Sequence, residues 1–252
     1  MPTAIISVFT QETFVLAADG RDYDLERKIV VSDSVQKLYP ARYEGGDLVY
    51  AFSGTDKIKA SGSSEIVFDY IPAAIAAAGE LENHKFRSLW HYAEVLKDKL
   101  WPLPDAAGAA LQTHPTSQDP FIIFIAGYFK GRPKRVHVTF PHDGQEPDPP
   151  SSDGLGEGNL CGVYPSAMIR IVEDAVDGPL AAYRTKLHAI QTIEEALRAS
   201  QTFIEALKDP AALTIDPRCV GIGGRVHACT LSSVDGFRWV KEPRQINNSA
   251  KS

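Results

Sequence analysis

Apolar residues in this chain fall into short runs of two kinds, one typical of strands and one typical of helices. Runs rich in β-branched and aromatic residues predict strands in the first half of the chain, at residues 3–9, 13–18, 47–53 and 120–129. The last of these is apolar at successive positions, which predicts a strand covered on both faces. Residues 135–140 alternate polar and apolar positions, as a half-exposed hairpin partner would.

Helical spacing fills the intervals between these strands. Apolar positions recur at steps of three and four over residues 86–100 and 193–207, and an alanine-rich segment at 71–79 predicts a further helix. Two final runs, 225–231 and 237–240, predict a closing hairpin. This order predicts an α+β protein, in which two antiparallel sheets carry helices on their outer faces.

The whole pattern predicts one domain over residues 1–245, followed by a flexible C-terminal tail at 246–252. Residues 141–158 are rich in proline and glycine, but they separate segments that would share a core. We therefore interpret this stretch as a long loop and not as a domain linker.

Composition narrows the range of partners. A formal net charge of −6 and a pI near 5.7 argue against a nucleic-acid or anionic-membrane partner, and the basic stretch 130–135 is interpreted as a charged hairpin turn. No run of eighteen apolar residues predicts a membrane span, and the N-terminus lacks the features of a signal peptide. Three cysteines without CxxC spacing fit a reducing compartment, so the prediction is a soluble, cytoplasmic protein.

Four chemically useful groups stand at the ends of the early apolar runs. Thr3 opens the first run, Asp19 closes the second, and Lys37 precedes an apolar pair; Gly54 then follows the third run. A threonine hydroxyl is a weak nucleophile until a base removes its proton. A hydroxyl, a carboxylate, an ammonium group and a glycine amide are together the parts of a hydroxyl-nucleophile amidase.

The role of each group follows from its chemistry. If Thr3 were the N-terminal residue, its own α-amine, with a pKa of about 8, could take the hydroxyl proton. Lys37 would stabilise the alkoxide, and Asp19 would orient and charge-balance the lysine. The Gly54 N–H would donate to the oxyanion, and glycine at this position lets the substrate carbonyl approach closely.

The order and spacing of these residues resemble those of the β-type subunits of proteasomes and their bacterial relatives, in the N-terminal-nucleophile (Ntn) hydrolase superfamily. The residues that carry this resemblance are Thr3, Asp19, Arg21, Lys37, Ser53 and Gly54. The resemblance implies a four-layer αββα sandwich, hydrolysis of peptide or other amide bonds, and no cofactor. It also implies supporting roles for Arg21 and Ser53.

The same resemblance leaves catalysis open. Pro2 precedes Thr3, where processed members of the family have a glycine, and Leu155 stands where they carry a serine that assists the terminal amine. Cys219 and Ile222 stand where an aspartate and a serine are expected. The alternative hypothesis is therefore a catalytically inactive structural or binding subunit; a third is an unrelated α/β ligand-binding domain.

Other chemistries have weaker signals. The seven histidines show no paired-ligand spacing, so we predict no metal site. The glycine-rich stretch 154–158 lacks the ending of a phosphate-binding loop. The partners predicted are a peptide or small amide substrate and further copies of the chain, because Trp90, Tyr92 and Trp101 crowd one helix beyond its core face.

Overall fold

A computed structural model describes most of the chain and shows an α+β arrangement. The described residues are 3–24, 27–59, 65–102, 120–141, 146–152, 155, 160–161, 178–186 and 190–243. The predicted tail, 246–252, lies outside them.

Strands make up most of the regular structure in these ranges. They are β1 (Ile5–Thr10), β2 (Thr13–Ala18), β3 (Asp22–Asp24), β4 (Ile29–Ser32), β5 (Leu38–Tyr43), β6 (Gly46–Ser53), β7 (Lys57–Lys59), β8 (Ile66–Asp69), β9 (Phe121–Phe129), β10 (Arg132–Phe140), β11 (Leu160–Cys161), β12 (His227–Ser232) and β13 (Gly236–Lys241). The α-helices are α1 (Tyr70–Leu81), α2 (Leu89–Leu100), α3 (Ile193–Lys208) and α4 (Pro210–Ile215). Short 3₁₀ helices cover Ala181–Tyr183 and Pro217–Gly221.

Two antiparallel sheets organise these strands. The first has the order β11-β1-β2-β12-β13 and the second the order β10-β9-β6-β5. Two small hairpins, β3–β4 and β7–β8, stand apart from both. Tight turns fix the register of β1–β2 and β9–β10: Gln11, Glu12, Lys130 and Gly131 all have positive φ, which matches the twist of a two-residue hairpin loop.

Strand β1 shows why the apolar runs have no polar face. Ile5 and Phe9 pack between the two sheets, whereas Ile6 and Val8 pack on the outer face of the first sheet, against α3. All six residues of β1 are therefore buried. On the outer face of the second sheet, α1 and α2 cover a third apolar core. The predicted α+β sandwich of antiparallel sheets is confirmed.

The helices begin at the residues that their sequences favour. Thr192 and Glu195 form a capping box at the start of α3, and Asp69 caps α1 by accepting from the N–H of Ile71 at 3.1 Å. Pro72 lies in the first turn of α1, where a missing N–H is tolerated, so it does not prevent the helix predicted at 71–79.

The predicted loop 141–158 is described only in part. Within it, Ser151 exchanges two backbone hydrogen bonds with His137, of 2.7 and 3.0 Å, and so covers part of the outer edge of β10. Within the described residues, no helix is both long and apolar enough to cross a membrane.

Candidate functional site

A buried ion pair lies where the two sheets meet at one end. Asp19 follows the last residue of β2 in the first sheet, and Lys37 precedes the first residue of β5 in the second. Lys37 Nζ donates to Asp19 Oδ1 at 2.8 Å, with both side chains essentially inaccessible to solvent (1% and 0% exposed). The structure therefore brings together two of the predicted site residues.

Backbone donors complete the shell of the Asp19 carboxylate. Oδ1 also accepts from the N–H of Ala4 at 2.9 Å, and Oδ2 accepts from the N–H groups of Arg21 and Gly223 at 3.2 and 3.1 Å. A buried charge is tolerated only when it is paired and hydrogen-bonded, and Asp19 meets both conditions. The carboxylate thus ties the start of β1, the end of β2 and the segment before β12 to Lys37.

Thr3 lies close to this carboxylate, which is hydrogen-bonded to the peptide that follows Thr3. The Ala4 N–H that Asp19 accepts belongs to the Thr3–Ala4 peptide, and the Ala4 carbonyl accepts from the Asp19 backbone N–H at 3.1 Å. Thr3 itself is buried, with 4% of its surface exposed. The predicted nucleophile is therefore anchored beside the ion pair but is covered.

The Arg21 guanidinium pairs with Asp33 and not with Asp19, although the sequence predicted Arg21 beside Asp19 and Lys37. Its guanidinium donates to Asp33 at 2.7 and 3.4 Å and lies against Gly223, where an added Cβ would approach the guanidinium carbon to 2.4 Å. Because Arg21 and Asp33 are both partly exposed, their ion pair stabilises little. Only the Arg21 backbone reaches Asp19.

Strand β6 ends at Ser53, close to Lys37, and Gly54 follows it. The N–H of Phe52 donates to the Lys37 carbonyl at 3.4 Å, so the following residues emerge at the same end of the sandwich. Ser53 is buried. Gly54 has φ +87°, and a Cβ there would lie 1.8 Å from the Pro120 carbonyl oxygen. Both the backbone conformation and the available space at this position require glycine.

We expect Gly54→Ala to destabilise the protein by about 2–5 kcal/mol, the sum of a left-handed backbone and a steric clash. Gly131→Ala is the matched control, because Gly131 also has positive φ (+73°) but has open space around a Cβ. It should cost about 1–2 kcal/mol, the backbone contribution alone. Urea unfolding of both variants measures the difference; equal losses would show that Pro120 does not restrict the site.

His227 completes the site, and sequence analysis missed it. It lies opposite Ala18 in the β12–β2 ladder, is 1% exposed, and its Nε2 accepts from the Lys37 backbone N–H at 3.0 Å. The ring meets Trp239 edge-on, with centroids 6.2 Å apart. Burial, followed by the positive charge of Lys37, lowers the pKa of His227 to about 4, so the imidazole is neutral at pH 7.

This lowered pKa predicts that the stability of the fold depends on pH. Between pH 6.5, the ordinary pKa of histidine, and about 4, the unfolded chain binds a proton at His227 that the folded chain does not. Folding stability should therefore fall as pH falls through this window, by about 3 kcal/mol in total. His227→Gln should lose this part of the pH dependence in urea titrations at several pH values; an unchanged dependence would contradict the assignment.

The positions that depart from the proteasome pattern hold apolar or structural side chains. Cys219 and Ile222 lie in the core beneath α3, and burial raises the pKa of the Cys219 thiol to about 11. Leu155 packs against the core between the sheets. Asp216 caps the Pro217–Gly221 turn and pairs with Arg218, so it supplies no carboxylate to the site.

The structure also bears on possible metal ligands and on the aromatic residues of α2. Among the described residues, no group of His, Cys, Asp and Glu side chains is arranged to hold a metal ion. The prediction that Tyr92 lies outside the core face of α2 is wrong, because Tyr92 is fully buried; Trp101 packs on the same core. Trp90 is partly exposed, and its Nε1 donates to Glu94 at 3.0 Å.

Solved structures match the chain over nearly its full length. Anbu (ancestral beta-subunit) from Yersinia bercovieri superposes with a TM-score of 0.52 at 12% identity, over 94% of this chain and 87% of that one. A mutant of Anbu from Hyphomicrobium sp. strain MC1 gives 0.50 at 12% identity, over 96% and 89%. No protein-family model and no curated protein matches the chain.

These matches correct the family expected from sequence. The assignment to the β-type proteasome subunits is wrong, because the structural neighbours belong to Anbu, a proteasome-like but distinct family. At 12% identity the likeness shows the fold alone. The chain thus shares its fold with Anbu, and only its own residues indicate the chemistry of the site.

Proposed function

We propose that this chain is an Anbu-like subunit that hydrolyses peptide or other amide bonds, with Thr3 as the nucleophile once the Pro2–Thr3 bond is cut. The observation that carries the proposal is the buried Lys37–Asp19 pair, whose carboxylate is hydrogen-bonded to the Thr3–Ala4 peptide. Cutting before Thr3 would place a new α-amine and the threonine hydroxyl beside a fixed positive charge. That arrangement is the one an N-terminal-nucleophile hydrolase needs.

In this mechanism the freed α-amine accepts the Thr3 hydroxyl proton while the oxygen attacks the substrate carbonyl carbon. Lys37 stabilises the developing alkoxide, and the Gly54 N–H donates to the tetrahedral oxyanion. The protonated amine then gives its proton to the leaving nitrogen, and an ester to Thr3 remains. Water, activated by the same amine, hydrolyses the ester and frees the hydroxyl.

The remaining features of the proposal come from the sequence. Residues 1–245 act as one domain, the substrate is a peptide or a small amide, and no cofactor takes part. Several copies assemble, in keeping with an Anbu-like subunit. The cytoplasmic location stays a prediction.

Intact mass and covalent labelling test the proposed function together. Protein purified from its host should lack Met1 and Pro2 and should react with a β-lactone probe at Thr3. A fusion protein cleaved to leave Thr3 first separates processing from chemistry, and its Thr3→Ala variant is the control for labelling. Failure of the cleaved protein to react with the probe, or to hydrolyse any peptide in a library, would overturn the proposal.

A second candidate function is an inactive subunit that binds but does not cleave. It is favoured by the covered position of Thr3, which is 4% exposed, and by the proline that precedes it. Leu155 and Ile222, which cannot relay protons, favour it as well. Retention of Pro2 in protein from the host, together with capture of intact peptides, would support this candidate.

A further inference from the structure

His227 connects the two sheets at the candidate site. It belongs to β12 in the first sheet, where it lies opposite Ala18, the last residue of β2 and the residue before Asp19. Lys37 lies on the second sheet, immediately before the first residue of β5. The hydrogen bond from the Lys37 N–H to His227 Nε2, 3.0 Å long, therefore crosses from one sheet to the other beside the ion pair.

This hydrogen bond restrains the backbone that carries the ammonium group. The ladder between β5 and β6 begins at Leu38, so the Lys37 N–H lies just outside it and is directed at the imidazole instead. The lysine side chain has four rotatable bonds, and its ammonium group reaches Asp19 from a fixed point only if the backbone is held. His227 holds that point from the sheet that also carries the carboxylate.

The imidazole is itself fixed in orientation and charge. Trp239 meets its ring edge-on, and the ring also hydrogen-bonds to the backbone of Arg225. The charged groups that face it are Lys37 from the segment before β5, Arg225 from the segment before β12, and Lys241 from β13. All three are cationic and, with burial, oppose protonation of the ring. A neutral ring keeps a lone pair on Nε2, which an imidazolium would not.

We infer that His227 is a positioning residue for the amidase site: its neutral Nε2 fixes the Lys37 backbone so that the ammonium group is held against Asp19 and next to Thr3. This inference rests on the proposed function for its catalytic meaning, but the positioning itself is measurable without catalysis. His227 acts through Lys37 and does not touch the substrate.

The first test uses the full chain without substitution. NMR should show the Lys37 amide shifting together with the His227 ring as the pH is lowered. Exchange of the Lys37 amide with water, corrected for the intrinsic effect of pH, should be at least about tenfold less protected once the ring is charged, because Nε2 can then no longer accept. A Lys37 amide that keeps its shift and protection while the His227 ring titrates would overturn the inference.

The second test uses variants of the cleaved protein that begins at Thr3. His227→Phe should lower kcat about 10²-fold, the typical effect of a displacement near 1 Å, with KM unchanged, and should speed Lys37 amide exchange at least about tenfold. In His227→Gln the side-chain oxygen can accept from the Lys37 N–H, so this variant should recover most of the kcat and most of the protection of the Lys37 amide. His137→Phe is the matched control, since His137 also meets an aromatic ring edge-on but lies in β10.

The two readouts separate this inference from the proposed function. Absence of activity in the parent protein would refute the amidase, while Lys37 amide exchange in His227→Phe would still test the positioning. A His227→Phe protein with normal kcat and a protected Lys37 amide would overturn the inference even if the enzyme is active. If His227→Phe does not fold, two other measurements of Lys37 amide exchange decide the inference. The amide should stay protected in His227→Gln, and in the unsubstituted chain it should lose protection when the His227 ring is charged.

Discussion

Replacing Lys37 with methionine is expected to destabilise the protein by about 3–5 kcal/mol, the usual cost of removing one partner from a buried ion pair. Methionine fills a similar volume, so the loss comes from the charge left on Asp19 and not from a cavity. Asp19 keeps its hydrogen bonds from the N–H groups of Ala4, Arg21 and Gly223, which places the expected value toward the lower end of the range.

Urea unfolding measures this effect, and Lys99→Met is the matched control. Lys99 pairs with Glu80 at 2.6 Å on the surface, so its loss should cost less than about 1 kcal/mol. Adding Asp19→Asn to Lys37→Met should recover part of the loss, because an amide carries no buried charge. If Lys37→Met costs no more than Lys99→Met, the pair is not buried in solution as the structure has it.

The sequence predicts the central strands and the long helices well, because each has a strong local signal. β1, β2 and β9 are covered on both faces, and such strands need continuous apolar runs of a kind that few other structures produce. α3 combines a capping box with regular apolar spacing. For these elements, local preference and tertiary burial agree.

The small hairpins and the edge strand β5 could not be predicted in the same way. β4 contains Ile29, Val30 and Val31, a run that reads as a buried strand, yet all three side chains are about half exposed in the hairpin with β3. β5 has an alternating pattern interrupted by Pro40, which argues against a strand unless the strand lies at a sheet edge, as this one does. The position of an element in the sheet therefore outweighed its local pattern.

In the candidate site, too, some residues could be predicted from the sequence and others could not. Asp19 and Lys37 could be paired from sequence, because each stands at the end of an apolar run and the sheets bring such ends together. His227 lies 190 residues from Lys37 and has no motif around it, so only the register of β12 against β2 places it there. The ion pair between the Arg21 side chain and Asp33 could not be predicted either, because Asp33 has no sequence signal of its own.

The largest expected effect concerns catalysis by the cleaved protein that begins at Thr3. Lys37→Arg should lower kcat/KM about 10²–10³-fold, the usual cost of losing an electrostatic contact to a developing charge. A guanidinium is planar and donates in a fork, whereas the Asp19 carboxylate already accepts from three backbone N–H groups and offers a site for a compact ammonium group. Charge is kept, so the loss isolates geometry.

Peptide hydrolysis measured beside circular dichroism and urea unfolding checks this result, with Lys99→Arg as the control that should keep full activity. Thr3→Ala sets the floor, since it removes the hydroxyl and leaves the ion pair intact. A Lys37→Arg protein that folds and cleaves at the parental rate would remove Lys37 from the mechanism. A parent protein no more active than Thr3→Ala would instead favour the binding subunit, in which the buried pair serves only to hold the two sheets together.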